Sequence, residues 1–216
     1  MRFLLLHSPA VGPATWRWVA EALRTAGHEA VVPDLRAEAR TGVPTQITDA
    51  SARAATGDDV VVVGHSGAGG LLPLVMPGAR LLFIDAGIPP AVGPYSLGGT
   101  FTSTLRGLAV RGILPPWSTW FGEHVMEELV SDGDRRQLVA SELPKVPLAL
   151  YEATLDAPGG WRDGRHAYVL LSEAYREDAA LADELGWRVE ERLGGHLDIV
   201  NDDESIAALI IDVGGQ

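Results

Sequence analysis

The sequence predicts a three-layer α/β protein with a mainly parallel sheet and an inserted helical cap. Three observations support this prediction. Short apolar runs alternate with helical patterns in the first part of the chain, a Pro- and Gly-rich stretch interrupts them, and the alternation then resumes. Strands that alternate with helices in this way form βαβ units, whose strands run parallel. We therefore expect one domain over residues 1–216, with a cap inserted at about 88–160.

Apolar runs in the first part of the chain predict strands at residues 3–6, 30–32, 60–63 and 81–84. The strongest candidate is 60–63, because four consecutive valines without alternation suit a central strand buried on both faces. Helices are expected between the strands. Trp16, Val19, Ala20 and Leu23 recur at helical spacing, a weaker helix covers about 46–55, and another begins within 67–72.

The alternation breaks between about residues 87 and 160, where Pro and Gly are frequent and Trp117, Trp120 and Trp161 occur. A helical piece at 123–130 lies there, but no strand–helix repeat. The composition therefore predicts an inserted cap rather than an independent domain. Beyond it we expect strands at 168–171 and 187–193, with helices at about 174–185 and 203–211.

Charge and composition exclude several classes of function. The formal net charge is −12, and Lys145 is the only lysine, so no basic face exists to neutralise nucleic-acid phosphates or an anionic membrane. The absence of cysteine excludes disulfides, thiolate catalysis and Cys-based metal sites. No apolar run approaches the length of a signal or membrane segment. We expect a soluble, cytoplasmic protein that binds neither nucleic acid nor membrane.

Residues 64–69, Gly-His-Ser-Gly-Ala-Gly, follow the valine strand directly and precede a helix. A serine on so sharp a turn needs small neighbours, and its hydroxyl then projects above the carboxyl edge of the sheet. The Gly67 amide would point into the same space and bind a developing oxyanion. Ser66 is the predicted nucleophile. The alternatives are a helix-capping serine in a Gly-rich turn and, more weakly, a phosphate loop that lacks its Lys-Ser/Thr ending.

His196 lies just past the last predicted strand, in a Gly-Gly-His sequence before the last helix. A histidine on that edge of the sheet can reach the serine and take its proton, because imidazole titrates near neutrality. The alternative is a loop histidine with a structural hydrogen bond. The order of the pair along the chain, serine first and histidine last, favours catalysis.

Together these features resemble the α/β-hydrolase superfamily over nearly the whole chain, above all its small-substrate branch of plant esterases and hydroxynitrile lyases. The matching residues are the apolar strand into His7, the loop to Trp16, and 26–28, 32–35, 64–67, 83–89 and 194–196. The resemblance implies an α/β-hydrolase fold and a serine hydrolase acting on a small ester, thioester or amide through an acyl-enzyme. It implies a small-molecule substrate and no cofactor. A homodimer is compatible with the sequence.

The chain departs from the family where a backbone amide usually completes the oxyanion hole. Pro9 has no N–H, so one donor is missing under a direct alignment. The Ser8 hydroxyl or the amide of Val11 or Gly12 is expected to replace it. We place Ser8, Pro9, Gly67 and His65 among the oxyanion and substrate-binding residues. The missing amide also suits a lyase, decarboxylase or cyclase that uses the same Ser–His pair.

The triad acid has two candidates of equal weight. The family commonly places it after the penultimate strand, where Ala174 occupies the position and Glu173 precedes it. Asp85, at the end of the preceding strand, is the other, since some hydrolases of this fold take their acid from there. Either carboxylate could hold the imidazole tautomer and stabilise the imidazolium. The structural alternatives are a solvated helix-start carboxylate for Glu173 and a turn residue for Asp85.

The aromatic residues of the cap have two interpretations. Trp117 and Trp120 could form a lid wall over Ser66. Packing in the core of the cap is favoured, because a tryptophan side chain is usually buried for the large apolar area that it removes from water. Glu123 and His124 could face a pocket, although a solvated helix start is favoured. No histidine or acidic cluster has the spacing of a metal site, so no metal is expected. A non-catalytic ligand-binding protein of the same fold is the third functional hypothesis.

Overall fold

The apolar runs form strands in the computed structural model, which describes residues 1–57, 59–122 and 124–215. The strands are β1 (Arg2–Leu6), β2 (Glu29–Val31), β3 (Val60–Ser66), β4 (Arg80–Ala86), β5 (Gly93–Tyr95), β6 (Ile113–Leu114), β7 (Val146–Pro147), β8 (Leu155–Ala157), β9 (Ala167–Leu170) and β10 (Arg188–Glu191). The helices are α1 (Arg17–Thr25), α2 (Arg36–Ala39), α3 (Pro44–Ala54), α4 (Leu72–Val75), α5 (Thr102–Leu108), α6 (Val125–Leu129), α7 (Gly133–Ser141), α8 (Ala149–Glu152), α9 (Arg176–Glu184), α10 (Asp198–Asn201) and α11 (Asp203–Gly214).

Six strands form one parallel sheet in the order β10-β9-β4-β3-β1-β2. The valine strand, β3, lies inside the sheet between β1 and β4, and its residues from Val60 to His65 are buried. This is the environment that a continuous β-branched run predicts. The predicted parallel α/β architecture is confirmed.

Helices cover both faces of the sheet. Val61 and Gly64 lie three residues apart along β3, so they face opposite sides. Val61 contacts α11, since a methyl group at Gly214 would lie 3.9 Å from its side chain. Gly64 faces α4. A methyl group added at Gly64 would lie only 2.7 Å from a methyl carbon of Leu72, the first residue of that helix. Glycine at 64 therefore allows α4 to pack closely on the strand. Across the described residues, no helix combines the length and apolarity that crossing a membrane requires.

Several element boundaries differ from the sequence prediction, and two of them matter for the site. β3 continues to Ser66 and β4 to Ala86, so both strands carry polar side chains to their carboxyl ends. The helix expected within 67–72 is a 3-10 turn at Gly69–Leu71 followed by the short α4. The helix expected at 123–130 is Val125–Leu129, and Glu123 lies outside the described residues.

Between β4 and β9, residues 87–166 leave the main sheet and form a segment that we call the insertion. It contains α5 to α8 and two short antiparallel pairs, β5 with β8 and β6 with β7. Its strands have two or three residues, too few to produce a readable alternation in the sequence. Its buried apolar side chains, such as Leu105, Leu114 and Leu150, belong to the same hydrophobic core cluster as the strands of the main sheet.

Candidate active site

Ser66 ends β3 on a strained turn. Its φ of 56° lies in the left-handed region, which costs a residue other than glycine about 1–3 kcal/mol. The turn is tight enough that a side chain at Gly69 would collide with the backbone oxygen of Gly87. The small residues of the 64–69 sequence therefore allow the strand to turn sharply into the following helix. This turn leaves the Ser66 hydroxyl projecting from the edge of the sheet.

Ser66 begins a chain of hydrogen bonds through His196 to Asp85. The Ser66 hydroxyl lies 3.0 Å from His196 Nε2, and His196 Nδ1 lies 2.7 Å from Asp85 Oδ2. A carboxylate only accepts hydrogen bonds, so Nδ1 carries the proton and donates to Asp85. Nε2 then presents its lone pair to the Ser66 hydroxyl. This is the tautomer that a general base needs in order to take the serine proton.

Asp85 is fully buried and every bond around it stabilises its ionised form. Leu171 and Ser172 donate their amides to Oδ1 at 2.9 Å, and the Ser172 hydroxyl donates to Oδ2 at 2.6 Å. Burial raises the pKa of Asp85, but the hydrogen bonds from His196, Ser172 and Leu171 outweigh it and hold the pKa below its ordinary value. Its φ of 44° is also left-handed.

The neighbour of Asp85 is held by Tyr168 on β9. The Tyr168 hydroxyl donates to the Ala86 carbonyl at 2.9 Å and accepts the Ala86 amide at 3.1 Å. Burial raises the pKa of this phenol, so it stays a neutral donor and acceptor. Tyr168 therefore holds the backbone of Ala86, next to Asp85, where the pairing of β4 with β3 is irregular.

Gly67 and the Ser8 hydroxyl lie next to each other at the turn after Ser66. Among the described residues, nothing accepts the Gly67 N–H or binds the Ser8 hydroxyl. A methyl group at Gly67 would lie 2.9 Å from Ser8 Oγ, so this hydroxyl borders the turn after Ser66. The Val11 amide, one of the predicted replacements for the missing donor, is instead bound to the Ser8 carbonyl at 3.0 Å.

His7 holds the loop that carries Ser8 and Pro9. Its Nδ1–H donates to the Ser8 carbonyl at 2.9 Å, and its Nε2 accepts the Leu35 amide at 3.1 Å. Burial lowers the pKa of His7 to about 4, so the ring is neutral and both bonds persist at neutral pH. His7 thus links the loop that carries Ser8 to the segment between β2 and α2, where Leu35 lies.

A cavity of about 520 Å³ opens beside Ser66 and Gly67. Tyr175 lines it, with its hydroxyl 3.3 Å from Ser66 Oγ and its ring stacked on the His196 imidazole at 5.4 Å between centroids and 11° between planes. Asp178 and the loop after β4 form another wall. The sequence contained no signal for Tyr175, because a tyrosine after a strand has many ordinary explanations.

A sequence profile described as the alpha/beta hydrolase family matches residues 3–209. The chain belongs to the α/β-hydrolase family. The match covers the sheet, the insertion and all three residues of the hydrogen-bonded chain. A search among curated proteins yields no match to this α/β hydrolase.

Solved structures agree with this assignment of the fold. An extracellular α/β-hydrolase from a Paenibacillus species, described as homologous to tobacco salicylic acid binding protein 2, is 19% identical with a TM-score of 0.77, and the match covers 100% of both chains. Polyneuridine aldehyde esterase is 15% identical with a TM-score of 0.74, over 98% of each chain. Tomato methylketone synthase I, solved with 2-tridecanone, is 13% identical with a TM-score of 0.76, over 99% of this chain and 97% of that one.

Of the two candidate acids in this α/β hydrolase, only Asp85 contacts His196. Glu173 is exposed and pairs with Arg176 at 2.6 Å, which holds its pKa below the ordinary value. The reason is local: Ser172 is extended and turns its side chain inward to Asp85, so the next side chain points outward. The structure therefore does not support the expectation that gave Glu173 equal weight.

His65 also differs from its predicted place among the substrate-binding residues of this hydrolase. It is 2% exposed, and its Nε2–H donates to the His196 carbonyl at 2.8 Å. Burial, with a contribution from His196, lowers its pKa to about 3, so the ring stays neutral. His65 lies behind His196 and supports its backbone.

The two tryptophans occupy different surroundings. Trp117 is nearly buried and its ring lies 6.5 Å from the His196 ring, but it is not among the described residues that line the cavity beside Ser66. Trp120 packs on Tyr151 and donates its indole N–H to the Pro115 carbonyl, within the insertion. His124 is exposed beside Glu127. In the described part of the chain, no three potential metal ligands cluster.

Proposed function

We propose that this α/β hydrolase is a serine hydrolase that cleaves a small ester, thioester or amide through an acyl-enzyme. The observation that carries the proposal is the continuous hydrogen-bond chain from the Ser66 hydroxyl through His196 to Asp85, which begins at a cavity wall. A serine hydroxyl becomes a useful nucleophile only when a base accepts its proton and a third group orients that base. Here His196 lies within hydrogen-bond distance of the Ser66 hydroxyl, and Asp85 is hydrogen-bonded to His196.

In the proposed reaction, Ser66 Oγ attacks the substrate carbonyl while His196 Nε2 takes its proton. The buried Asp85 carboxylate stabilises the imidazolium that forms. Negative charge that develops on the carbonyl oxygen is bound by the Gly67 N–H and, in place of the amide that Pro9 lacks, by the Ser8 hydroxyl. His196 then protonates the leaving group. In the second half of the reaction, His196 takes a proton from water, which attacks the acyl carbonyl, and then returns that proton to Ser66 Oγ as the acid product leaves.

The cavity limits the substrate to a small molecule. Its volume of about 520 Å³ lies within the range of small-ligand sites, and its wall contains glycines, prolines, Ile88 and Leu97 together with hydroxyl-bearing side chains and one carboxylate. An acyl or alcohol group of modest length, with its carbons against Ile88 and Leu97, suits this wall. The esterase named among the similar structures supports ester cleavage as the reaction to test first.

Active-site labelling is the first experiment. A fluorophosphonate probe should label the wild type and not Ser66→Ala. The matched control is Ser96→Ala, which removes another hydroxyl from the cavity wall and should leave the labelling unchanged. Hydrolysis of p-nitrophenyl esters of graded chain length then measures kcat/KM. Folded wild-type protein that is neither labelled at Ser66 nor active on any ester would contradict the proposal.

A second candidate is a lyase, decarboxylase or cyclase reaction in which His196 moves protons without an acyl intermediate. Pro9 favours it, because losing one oxyanion donor can cost acyl transfer about 10²–10³ in rate. Methylketone synthase I, whose name does not describe a simple esterase, has a similar fold. Retained turnover of a substrate by Ser66→Ala would favour this candidate, since covalent catalysis needs the hydroxyl.

A further inference from the structure

Asp178 places a carboxylate in the wall of the cavity beside Ser66. It lies in the first turn of α9, half-buried, three residues after the Tyr175 that touches Ser66. Among the described residues that line this cavity, it is the only one with a formally charged side chain. The others are small, apolar or hydroxyl-bearing. Asp178 therefore adds a negative charge to the wall of the space that a substrate would enter.

The carboxylate has one neutral partner and no cation. Oδ1 accepts the Ile88 amide at 2.8 Å, which anchors the loop after β4. No ion pair joins Asp178 to any arginine in the part of the chain that the structure describes, and the nearby Arg176 is bound to Glu173 and Glu191. Burial and the charges of Glu177 and Asp85 raise its pKa, while the Ile88 bond lowers it. Folding thus leaves a partly desolvated carboxylate that has one amide partner and the first turn of α9 to stabilise it, but no cation.

We propose that Asp178 selects substrates that carry an ammonium group, which it binds while the scissile carbonyl lies at Ser66. This inference rests on the proposed hydrolase function and names the substrate class of that same site. A cation entering the cavity would lose water but gain the charge of Asp178, whereas a neutral group of equal size would gain only apolar contacts. Binding the Ile88 amide with Oδ1 leaves Oδ2 for the ligand.

Matched substrates isolate the charge. One pair is the p-nitrophenyl ester of an ω-amino acyl chain and the ester in which a methyl group replaces the ammonium. The other, with the charge on the leaving group, is acetylthiocholine and its neutral isostere, in which tert-butyl replaces trimethylammonium. We expect the wild type to prefer the cation in at least one pair. Asp178→Asn should reduce the kcat/KM ratio of cation to neutral about tenfold, the size of an ion-pair contribution at a partly exposed site.

The choice of variants separates charge from structure. Asn keeps an oxygen that can accept the Ile88 amide, so the loop stays anchored while the charge is lost. Glu177→Gln removes the same charge from the adjacent, exposed residue outside the cavity wall, and it should leave the ratio unchanged. Equal losses for the cationic and neutral substrates in Asp178→Asn would mean that Asp178 acts only through the loop, and would overturn the inference.

Binding to Ser66→Ala tests the inference without chemistry. Isothermal titration of this variant with the same esters should show that the cationic ester binds more tightly than the neutral one. In the double variant with Asp178→Asn, the ratio of the two affinities should be about tenfold smaller. If no ester is hydrolysed by the wild type, the hydrolase proposal fails while this titration still decides the role of Asp178. Equal affinities for both members of each pair, with or without Asp178→Asn, would overturn the inference.

Discussion

Replacing Asp85 by Asn probes the proposed triad most directly. The amide has nearly the shape of the carboxylate, so it fills the buried position, and its oxygen can still accept the Leu171 and Ser172 amides. What changes is the atom that faces His196 and the Ser172 hydroxyl, and that hydroxyl can rotate so that it accepts a hydrogen bond instead of donating one. An amide NH₂ group at the position of Oδ2 donates instead of accepting, so it favours the imidazole tautomer with the proton on Nε2. That tautomer cannot take the Ser66 proton.

The expected loss follows from the geometry of the contact. His196 Nδ1 and Asp85 Oδ2 are 2.7 Å apart, so the centres of the imidazolium and carboxylate charges lie roughly 4 Å apart. At an effective dielectric of about 20, a charge pair at that distance contributes about 4 kcal/mol. Losing it from the transition state slows the reaction about 10³-fold, and the wrong tautomer adds to this. We therefore expect kcat to fall by at least about 10³.

The assay is hydrolysis of the best p-nitrophenyl ester by wild type, Asp85→Asn and Glu173→Gln. Glu173→Gln is the matched control, because it removes a carboxylate of equal charge from the other predicted acid position, where the side chain is exposed. It should stay within about twofold of wild type. Circular dichroism and thermal melting check that each variant is folded. A folded Asp85→Asn that keeps a tenth or more of wild-type kcat would refute the assigned role of Asp85.

Three further predictions concern the rest of the site and the stability of the fold. Ser8→Ala should lower kcat about 10²-fold with little change in KM, because the Ser8 hydroxyl is proposed to bind the oxyanion in the transition state and not the substrate in the ground state. An unchanged kcat would mean that another group is the second oxyanion donor. Tyr175→Phe keeps the ring stacked on His196 and loses only a long hydrogen bond, so its steady-state kcat should fall less than about tenfold. Tyr175→Ala also loses the stacked ring, so its kcat should fall further. Stability should fall as pH drops below about 6.5, because His7 and His65, with pKa values lowered to about 4 and about 3, are neutral when folded and take up protons on unfolding. Each histidine should lower the free energy of unfolding by about 1.4 kcal/mol between about pH 7.5 and about pH 5.5, measured by urea titration. His65→Gln should remove the part of this pH dependence that His65 causes. A free energy of unfolding that does not change over this pH range would contradict the burial of these rings.

The nucleophile and base could be predicted because their signals are local. A continuous valine run defines a central buried strand, and the Gly-His-Ser-Gly-Ala-Gly sequence after it has the small side chains that a sharp turn requires. His196 follows the last strand of the sheet. In a parallel sheet, segments that follow strands meet at one edge, so strand order and turn chemistry alone place Ser66 and His196 near each other.

The choice of acid required the tertiary structure. Asp85 and Glu173 both come soon after strands predicted from the sequence, at 81–84 and 168–171, and no local sequence signal distinguishes them. What separates them is the direction of each side chain at the junction of β4 and β9: the left-handed turn at Asp85 and the hydrogen bonds that Ser172 donates to it hold its carboxylate inward. The extended Ser172 takes the inward position of its own segment, which directs Glu173 to solvent.

By itself, then, the sequence determined the parallel α/β architecture, the serine on its turn and the histidine at the same edge, because burial patterns and turn residues act over a few neighbouring positions. Only the tertiary structure decided which carboxylate supports His196, that His65 is buried behind it, and that Tyr175 and Asp178 line the cavity. Those outcomes depend on which side chains meet across segments about a hundred residues apart in the chain, such as Ser66 and Tyr175. Packing between distant segments leaves no periodic trace in the sequence.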